Sequence, residues 1–278
     1  MIPGQMSLAS LSHSTQTRSF SLVSGSSGNS IFVGHSSTRI LVDCGVSAKR
    51  LTAALLERDE DPGHISGILI THEHSDHIAG LSVLARRHNI PVYMTEPTWF
   101  RLSQSMKFAE RIDVRFIEPG RHFEVGDSSV YAFSTSHDAV CPVGYRIDTG
   151  RAVVGIATDT GELTDHNVKL LSGCDLVYIE ANYDPDMLYG GPYPWPLKQR
   201  IDSVRGHLSN GQSARAIGDL VRGGGTRFVL SHLSKENNMP DLALSSVTDD
   251  LSEAGFKAGI DLKLQVAPRY EPSAVYEL

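Results

Sequence analysis

From Ser19 onward the chain alternates short apolar runs with stretches whose apolar residues recur every three or four positions. The short runs, at 20–23, 30–33, 39–43, 68–70, 130–134, 143–147, 152–157, 176–179, 227–230 and 262–266, are β-prone and bounded by turn-forming residues, and they predict strands. The longer stretches, at 47–58, 78–87, 165–171, 211–221 and 242–254, predict helices; in the first, Leu51, Ala54 and Leu55 share a face. So many strands interleaved with helices indicate an α/β domain, and two packed sheets flanked by helices satisfy the count, although periodicity alone does not fix the topology. Residues 1–18, rich in Ser, Thr and Gln, read as a flexible leader. No low-complexity linker divides 19–278, which reads as one domain.

Composition narrows the setting. A chain of 278 residues with 40% hydrophobic and 21% charged positions can bury one sizeable core. Cys44, Cys141 and Cys174 are odd in number, widely spaced and without a C-x-x-C pair, so neither a disulfide framework nor a zinc–cysteine site is expected. That fits a reducing compartment. No run approaches the roughly 18 apolar residues of a membrane span, and the N-terminus lacks the pattern of an export signal. A cytoplasmic protein without membrane association or obligate protein partner is the expectation. The net charge of -7 argues against a broadly basic face, so any nucleic acid must be held locally.

The strongest chemical signal is Thr71-His72-Glu73-His74-Ser75-Asp76-His77, which follows the apolar run ending at Ile70 and precedes a helical segment. In a loop at a strand end, residues two apart can point the same way, so His72 and His74 can grip one cation while Asp76 and His77 reach a second. Imidazole and carboxylate are the donors that borderline divalent metals accept. With only 12 histidines in the chain, three of them and an aspartate at this spacing is poorly explained as a polar loop. Glu73 remains unassigned.

This H-x-H-x-D-H run resembles the signature of the metallo-β-lactamase superfamily. The resemblance implies a four-layer αββα sandwich holding two divalent ions, Zn, Mn or Fe, that activate a hydroxide at neutral pH. It also implies three further ligands, each just past a predicted strand: His137 completes the first site, Asp159 bridges both ions, and His232 completes the second.

Two other segments bear on the reaction. In Ser24-Gly25-Ser26-Ser27-Gly28-Asn29-Ser30, the glycines permit close approach, and the amides near Ser26, Ser27 and Asn29 can form an anion-binding nest; a plain hairpin turn uses the same residues. In Gly206-His207-Leu208-Ser209-Asn210, either Ser209 or Asn210 can cap the following helix, and both are candidate phosphate contacts. His207 is there placed to protonate a leaving alkoxide, in company with Asp76 as catalytic residue, although a capping or merely exposed histidine fits the same pattern. Lys198 and Arg200, preceded by the aromatic and proline-rich stretch 189–196, suit a single strand whose bases stack while its phosphates are neutralised; a solvated helix end is the plainer alternative. Together these segments resemble the WalJ (YycJ) type of metallo-β-lactamase-fold hydrolase, a relative of the tRNase Z enzymes, over roughly 19–278. That resemblance implies a metal-dependent phosphodiesterase, a 5′ to 3′ exodeoxyribonuclease acting on single-stranded DNA. The alternatives are a metallohydrolase of a thioester, ester or lactone, for which no acyl-pocket segment is evident, and a non-catalytic metal-binding module, which the full ligand set disfavours.

Overall fold

The computed structural model describes residues 16–278, so residues 1–15 of the expected leader lie outside the described residues. Thr17 and Arg18 do not behave as leader. Thr17 is buried, its backbone exchanges hydrogen bonds with Leu278, and Arg18 opens the first strand.

The first sheet is built from β1 (Arg18–Val23), β2 (Ser30–His35), β3 (Thr38–Val42), β4 (Gly67–Leu69), β5 (Val92–Thr95) and β6 (Val114–Ile117). The second comprises β7 (His122–Val125), β8 (Ser128–Ser134), β9 (Val143–Asp148), β10 (Val153–Ala157), β11 (Leu176–Glu180), β12 (Arg227–Ser231) and β13 (Lys263–Val266), in reversed chain order. A last strand, β14 (Tyr276–Glu277), returns to pair antiparallel with β1, so each sheet has seven strands. Antiparallel hairpins join β1 to β2 and β2 to β3, whereas β3 to β6 run parallel; β10 to β13 are parallel likewise. A run of parallel strands brings its C-terminal ends to one edge, which is where an open α/β sheet gathers functional loops.

The helices are α1 (Ala48–Glu57), α2 (Ser75–Ile78), α3 (Leu81–His88), α4 (Glu96–Ser103), α5 (Asp165–Leu171), α6 (Pro185–Gly190), α7 (Trp195–Ile201), α8 (Asn210–Arg222) and α9 (Pro240–Glu253). Three buried clusters define the layers. Leu51 and Leu55 of α1 and Leu81 and Leu84 of α3 pack on Phe20, Phe32 and Ile68 of the first sheet. Ile40, Leu69, Val154 and Tyr178 fill the space between the sheets, and Ile217, Leu220, Val247 and Leu251 of α8 and α9 cover the outer face of the second. The result is the expected αββα sandwich.

Local differences have local causes. The helix expected at 78–87 is broken at Gly80, whose amide donates to the Cys44 carbonyl and where a Cβ would lie 2.3 Å from the Val46 carbonyl oxygen. Strands β5, β6, β7 and β14 were not anticipated: none has more than four residues, and β6 and β7 expose half of theirs. Ser209 is the cap of α8, in a reciprocal capping box with Gln212.

Candidate metal centre

The loop after β4 is held from three sides before any chemistry begins. Tyr145, buried between the sheets, donates its hydroxyl to the Ile70 carbonyl at 2.6 Å, and the Val143 amide donates to the Thr71 carbonyl at 3.0 Å. On the other flank the amides of Asn29 and Cys44 donate to the carbonyls of Asp76 and His77, at 2.8 and 2.7 Å. Gly45 makes that approach possible, since a Cβ there would sit 1.7 Å from the Asp76 carbonyl oxygen. Asp43, at the end of β3, accepts from the Thr71 amide and hydroxyl and from His77 Nδ1 at 2.9, 2.8 and 2.7 Å. Thr71 Oγ1 in turn lies 3.0 Å from His72 Nδ1.

The loops after β8, β10 and β12 bring His137, Asp159 and His232 to the same place. His137 Nδ1 donates to the Gly206 carbonyl at 3.0 Å, and its Nε2 faces His74 Nδ1 at 3.3 Å. His232 Nδ1 donates to Glu180 Oε1 at 3.0 Å, and its Nε2 lies 3.3 Å from both Asp76 Oδ2 and Asp159 Oδ1. The second oxygen of Asp159 is 3.2 Å from His77 Nε2. Asp43, Asp159 and His232 all hold left-handed backbone, φ 63°, 56° and 55°, unusual for residues with a Cβ and common where tertiary structure overrides local preference at a site.

The pattern fits cations. His72, His77, His137 and His232 each turn one ring nitrogen outward to a hydrogen-bond partner and the other inward, as metal-ligating imidazoles do. His72 Nε2 and Asp159 Oδ2 are buried without a properly formed hydrogen bond among the described residues, which is costly unless another partner is met there. Donor atoms of His72, His74 and His137 cluster within 4.8 Å of one another, and so do those of Asp76, His77 and His232 and those of His72, His77 and Asp159. All are nitrogen or oxygen, a set suited to borderline divalent metals.

Electrostatics divides the histidines into two classes. Burial pushes His72 well below its ordinary value, with the His77 charge adding to the effect, and burial likewise lowers His137. For His77 burial acts downward too, but Asp159 and Asp43 outweigh it and carry the imidazole well above its ordinary value. His232 is pushed up to about 10, its burial overcome by Asp159 and by hydrogen bonds to Asp76 and Glu180. Burial would raise Asp159, yet His232 and His77 hold it well below the usual carboxylate range.

His207 stands beside this cluster. Its Nδ1 donates to Glu180 Oε1 at 2.7 Å, the oxygen that also accepts from His232, and its ring is 5.4 Å from that of His232 and 5.0 Å from that of His137. Glu180, fully buried at the end of β11, also accepts from the amides of Thr160 and Leu208, at 2.9 and 3.3 Å. With Nδ1 engaged, the other nitrogen of His207 is left for the cleft of about 190 Å³ that it lines with Ser26, Asp138, Asn182, Tyr193, Arg200 and His232.

The expected substrate contacts fare unevenly. Ser26 and Ser27 are exposed, and Ser26 lines the cleft. Asn29 is buried and instead braces the metal loop, its side chain 3.4 Å from Asp76 Oδ2 and bonded to the Gly25 backbone. The Lys198 ammonium turns inward to the carbonyls of Tyr189 and Gly191, so its charge fastens the proline-rich loop. Ser209 is occupied as a helix cap, and Asn210 is fully buried against Asn238. Arg200 is exposed and pairs with Asp138, which borders His137 Nε2 at 3.3 Å. Glu73 accepts from the Val140 amide at 2.9 Å. Sequence reasoning missed Asp43, Asp138 and Glu180; Asp43 and Glu180 carried the strand-end signal that marked the other acidic and histidine positions.

Comparison with known proteins accords with this geometry. A family model described as a beta-lactamase superfamily domain matches residues 38–233. The chain is 40% identical over 246 residues to the exodeoxyribonuclease WalJ of Streptococcus pneumoniae, covering 87% of this chain and 91% of that one. It is 39% identical over 239 residues to the exodeoxyribonuclease YycJ of Bacillus anthracis, covering 86% and 90%. Among solved structures, the metallo-beta-lactamase fold protein YhfI from Bacillus subtilis aligns with a TM-score of 0.73 at 17% identity, covering 95% of this chain and all of that one.

Proposed function

The chain belongs to the beta-lactamase superfamily, with the metallo-β-lactamase fold, and from that premise we propose that it is a metal-dependent exodeoxyribonuclease acting on single-stranded DNA from the 5′ end. Its relatives at 39–40% identity over most of the chain carry the name exodeoxyribonuclease. The observation that carries the reading in this chain is Glu180, whose one oxygen joins His207 to the cluster through His232.

We assign His72, His74 and His137 to one divalent ion, Asp76, His77 and His232 to a second, and Asp159 to both. Such ions, Zn, Mn or Fe, supply Lewis acidity toward a phosphoryl oxygen and ready a water for attack at neutral pH. Asp43 and Thr71 fix the rings of His77 and His72 so that no reorganisation is needed when the site is used. His207 serves the other end of the reaction. Glu180 orients the ring through Nδ1–H, and in the imidazolium form the remaining Nε2–H gives its proton to the departing alkoxide as the P–O bond breaks, leaving neutral imidazole. Arg200 and Ser26 border the cleft where the departing end lies, and the exposed Trp195 and Tyr189, with ring centroids 5.8 Å apart, stand near Arg200 in sequence as stacking surfaces for bases. The cleft offers mostly polar groups, unlike the apolar pocket a fatty thioester needs.

His207→Ala tests this assignment. It should keep the metal content and fold while lowering oligonucleotide turnover by about 10²- to 10⁴-fold. With a p-nitrophenyl phosphodiester, whose leaving group needs little protonation, the defect should shrink. Loss of metal from this variant would make His207 a ligand, and an unchanged oligonucleotide rate would remove its role as acid.

A further inference from the structure

A second depression opens beside the cluster, at the metal loop and α4. It is a groove of about 850 Å³ lined by His74 and Ser75 of the metal loop, by Asp138 to Val140, and by Arg101, Gln104 and Ser105 of α4 and the turn after it. Asp138 borders both this groove and the smaller cleft at His207, so the two depressions meet beside the cluster. The second is the larger, about 850 Å³ against about 190 Å³.

The chemistry of the groove is directional. Arg101 is exposed, and its side chain has neither ion pair nor hydrogen bond among the described residues, whereas Arg200 is already paired with Asp138. Of the acidic groups on the groove wall, Glu73 is engaged by the Val140 amide and Asp138 by Arg200. Three residues beyond Ser105, the half-exposed Phe108 ring has the guanidinium groups of Arg86 and Arg111 over it, 4.6 and 5.4 Å from its centroid. The whole segment 81–121 carries seven Lys or Arg against four Asp or Glu, in a chain whose net charge is -7. Local positive charge is what a flexible polyanion requires.

We propose that this groove carries the part of a single-stranded DNA substrate that remains after cleavage, with Arg101 holding a backbone phosphate. The inference rests on the nuclease reading above. With the departing end in the small His207 cleft, the remainder of the chain has the open groove of α4 as its way out, and the substrate spans the cluster from one depression to the other.

The experiment compares cleavage of a single-stranded 20-mer and of a dinucleotide by wild-type holoenzyme, Arg101→Glu and Arg101→Lys. Wild type should prefer the longer substrate. Arg101→Glu should lower kcat/KM for the 20-mer by about tenfold or more at low salt, chiefly through KM, flatten the salt dependence by about one phosphate contact, and leave the dinucleotide within about twofold. Arg101→Lys should recover most of the loss. Equal losses on both substrates would mean a structural role for Arg101, and an undiminished 20-mer rate would mean that the strand runs elsewhere; either overturns the groove while wild-type cleavage keeps the nuclease reading. Failure of wild type to cleave either DNA with any metal would overturn that reading, and the groove with it.

Discussion

At the scale of single residues, the cluster holds more titratable groups than its charge can tolerate unaided, and neighbouring groups decide which of them carry protons. When cations are stripped away, His77 and His232 do so, because Asp159 and its neighbours favour their charged forms more than burial disfavours them. A group raised in the folded state stabilises the fold fully below its unfolded value of about 6.5 and loses that contribution as pH climbs through the folded value, here about 10 for His232. Asp159 is lowered, so its contribution is present above about 3.9 and is lost only as pH falls through its folded value. Chelator-treated protein should therefore lose thermal stability between about pH 6.5 and 10. Metal-loaded protein, whose ligands are already deprotonated, should not, and the stabilisation by metal should widen with pH. Parallel thermal melts with and without chelator across that range check this; a gap that narrows as pH rises would contradict it.

At the scale of elements, the centre is a set of strand ends tied together by loops that carry no ligand. The turn between β1 and β2 binds two ligand loops at once: the Asn29 amide donates to the Asp76 carbonyl, and the Ser24 hydroxyl accepts from the His232 amide at 2.9 Å. Gly45 allows the metal loop to lie against it. Gly45→Ala should force the two loops apart, at a cost of about 1–3 kcal/mol in stability and with a marked loss of bound metal, while a Gly190→Ala control, with open space around its Cβ and no left-handed backbone, should retain metal. Urea denaturation and elemental analysis of both variants measure this, and a Gly45→Ala protein with full metal content would show that the loop tolerates displacement. The histidines and aspartates that the fold gathers into the cluster were legible in the sequence because each lies at or just past the end of an apolar run, a signal that needs no knowledge of the partner strand. Asp43 and Glu180 were also strand-end acids, but their task depends on which strands lie side by side, and β3 beside β4 or β11 between β10 and β12 is a tertiary fact. The same reason explains Lys198 and Asn210: a lysine near an aromatic loop and an asparagine at a helix start look available until the loop they fasten is seen. Strands β6 and β7 escaped because four residues, of which only one in each is buried, leave too little apolar pattern to detect.

At the scale of the whole molecule, two seven-stranded sheets bring their loops to one rim, and the cluster lies where the ends of both meet. The net charge of -7 is compatible with an anionic substrate because positive charge is concentrated in 81–121, whose Arg101 lines the groove beside His74, while Arg200 lines the cleft at His207. Association with DNA should consequently weaken with salt but with a modest slope, since the slope follows the number of phosphates neutralised and few cations are available to neutralise them. The central claim is that cations held by His72, His74, Asp76, His77, His137, Asp159 and His232 drive hydrolysis of DNA. Its most direct test is titration of chelator-stripped protein with Mn or Zn while following release of nucleotide from a 5′-phosphorylated single strand, alongside a thioester and a lactone. The account predicts no hydrolysis by stripped protein, DNA cleavage that rises until about two ions are bound per chain and then levels off, and little turnover of the other two substrates. DNA cleavage by fully stripped protein, or an oligonucleotide left intact by metal-loaded protein that hydrolyses the thioester or lactone, would contradict it.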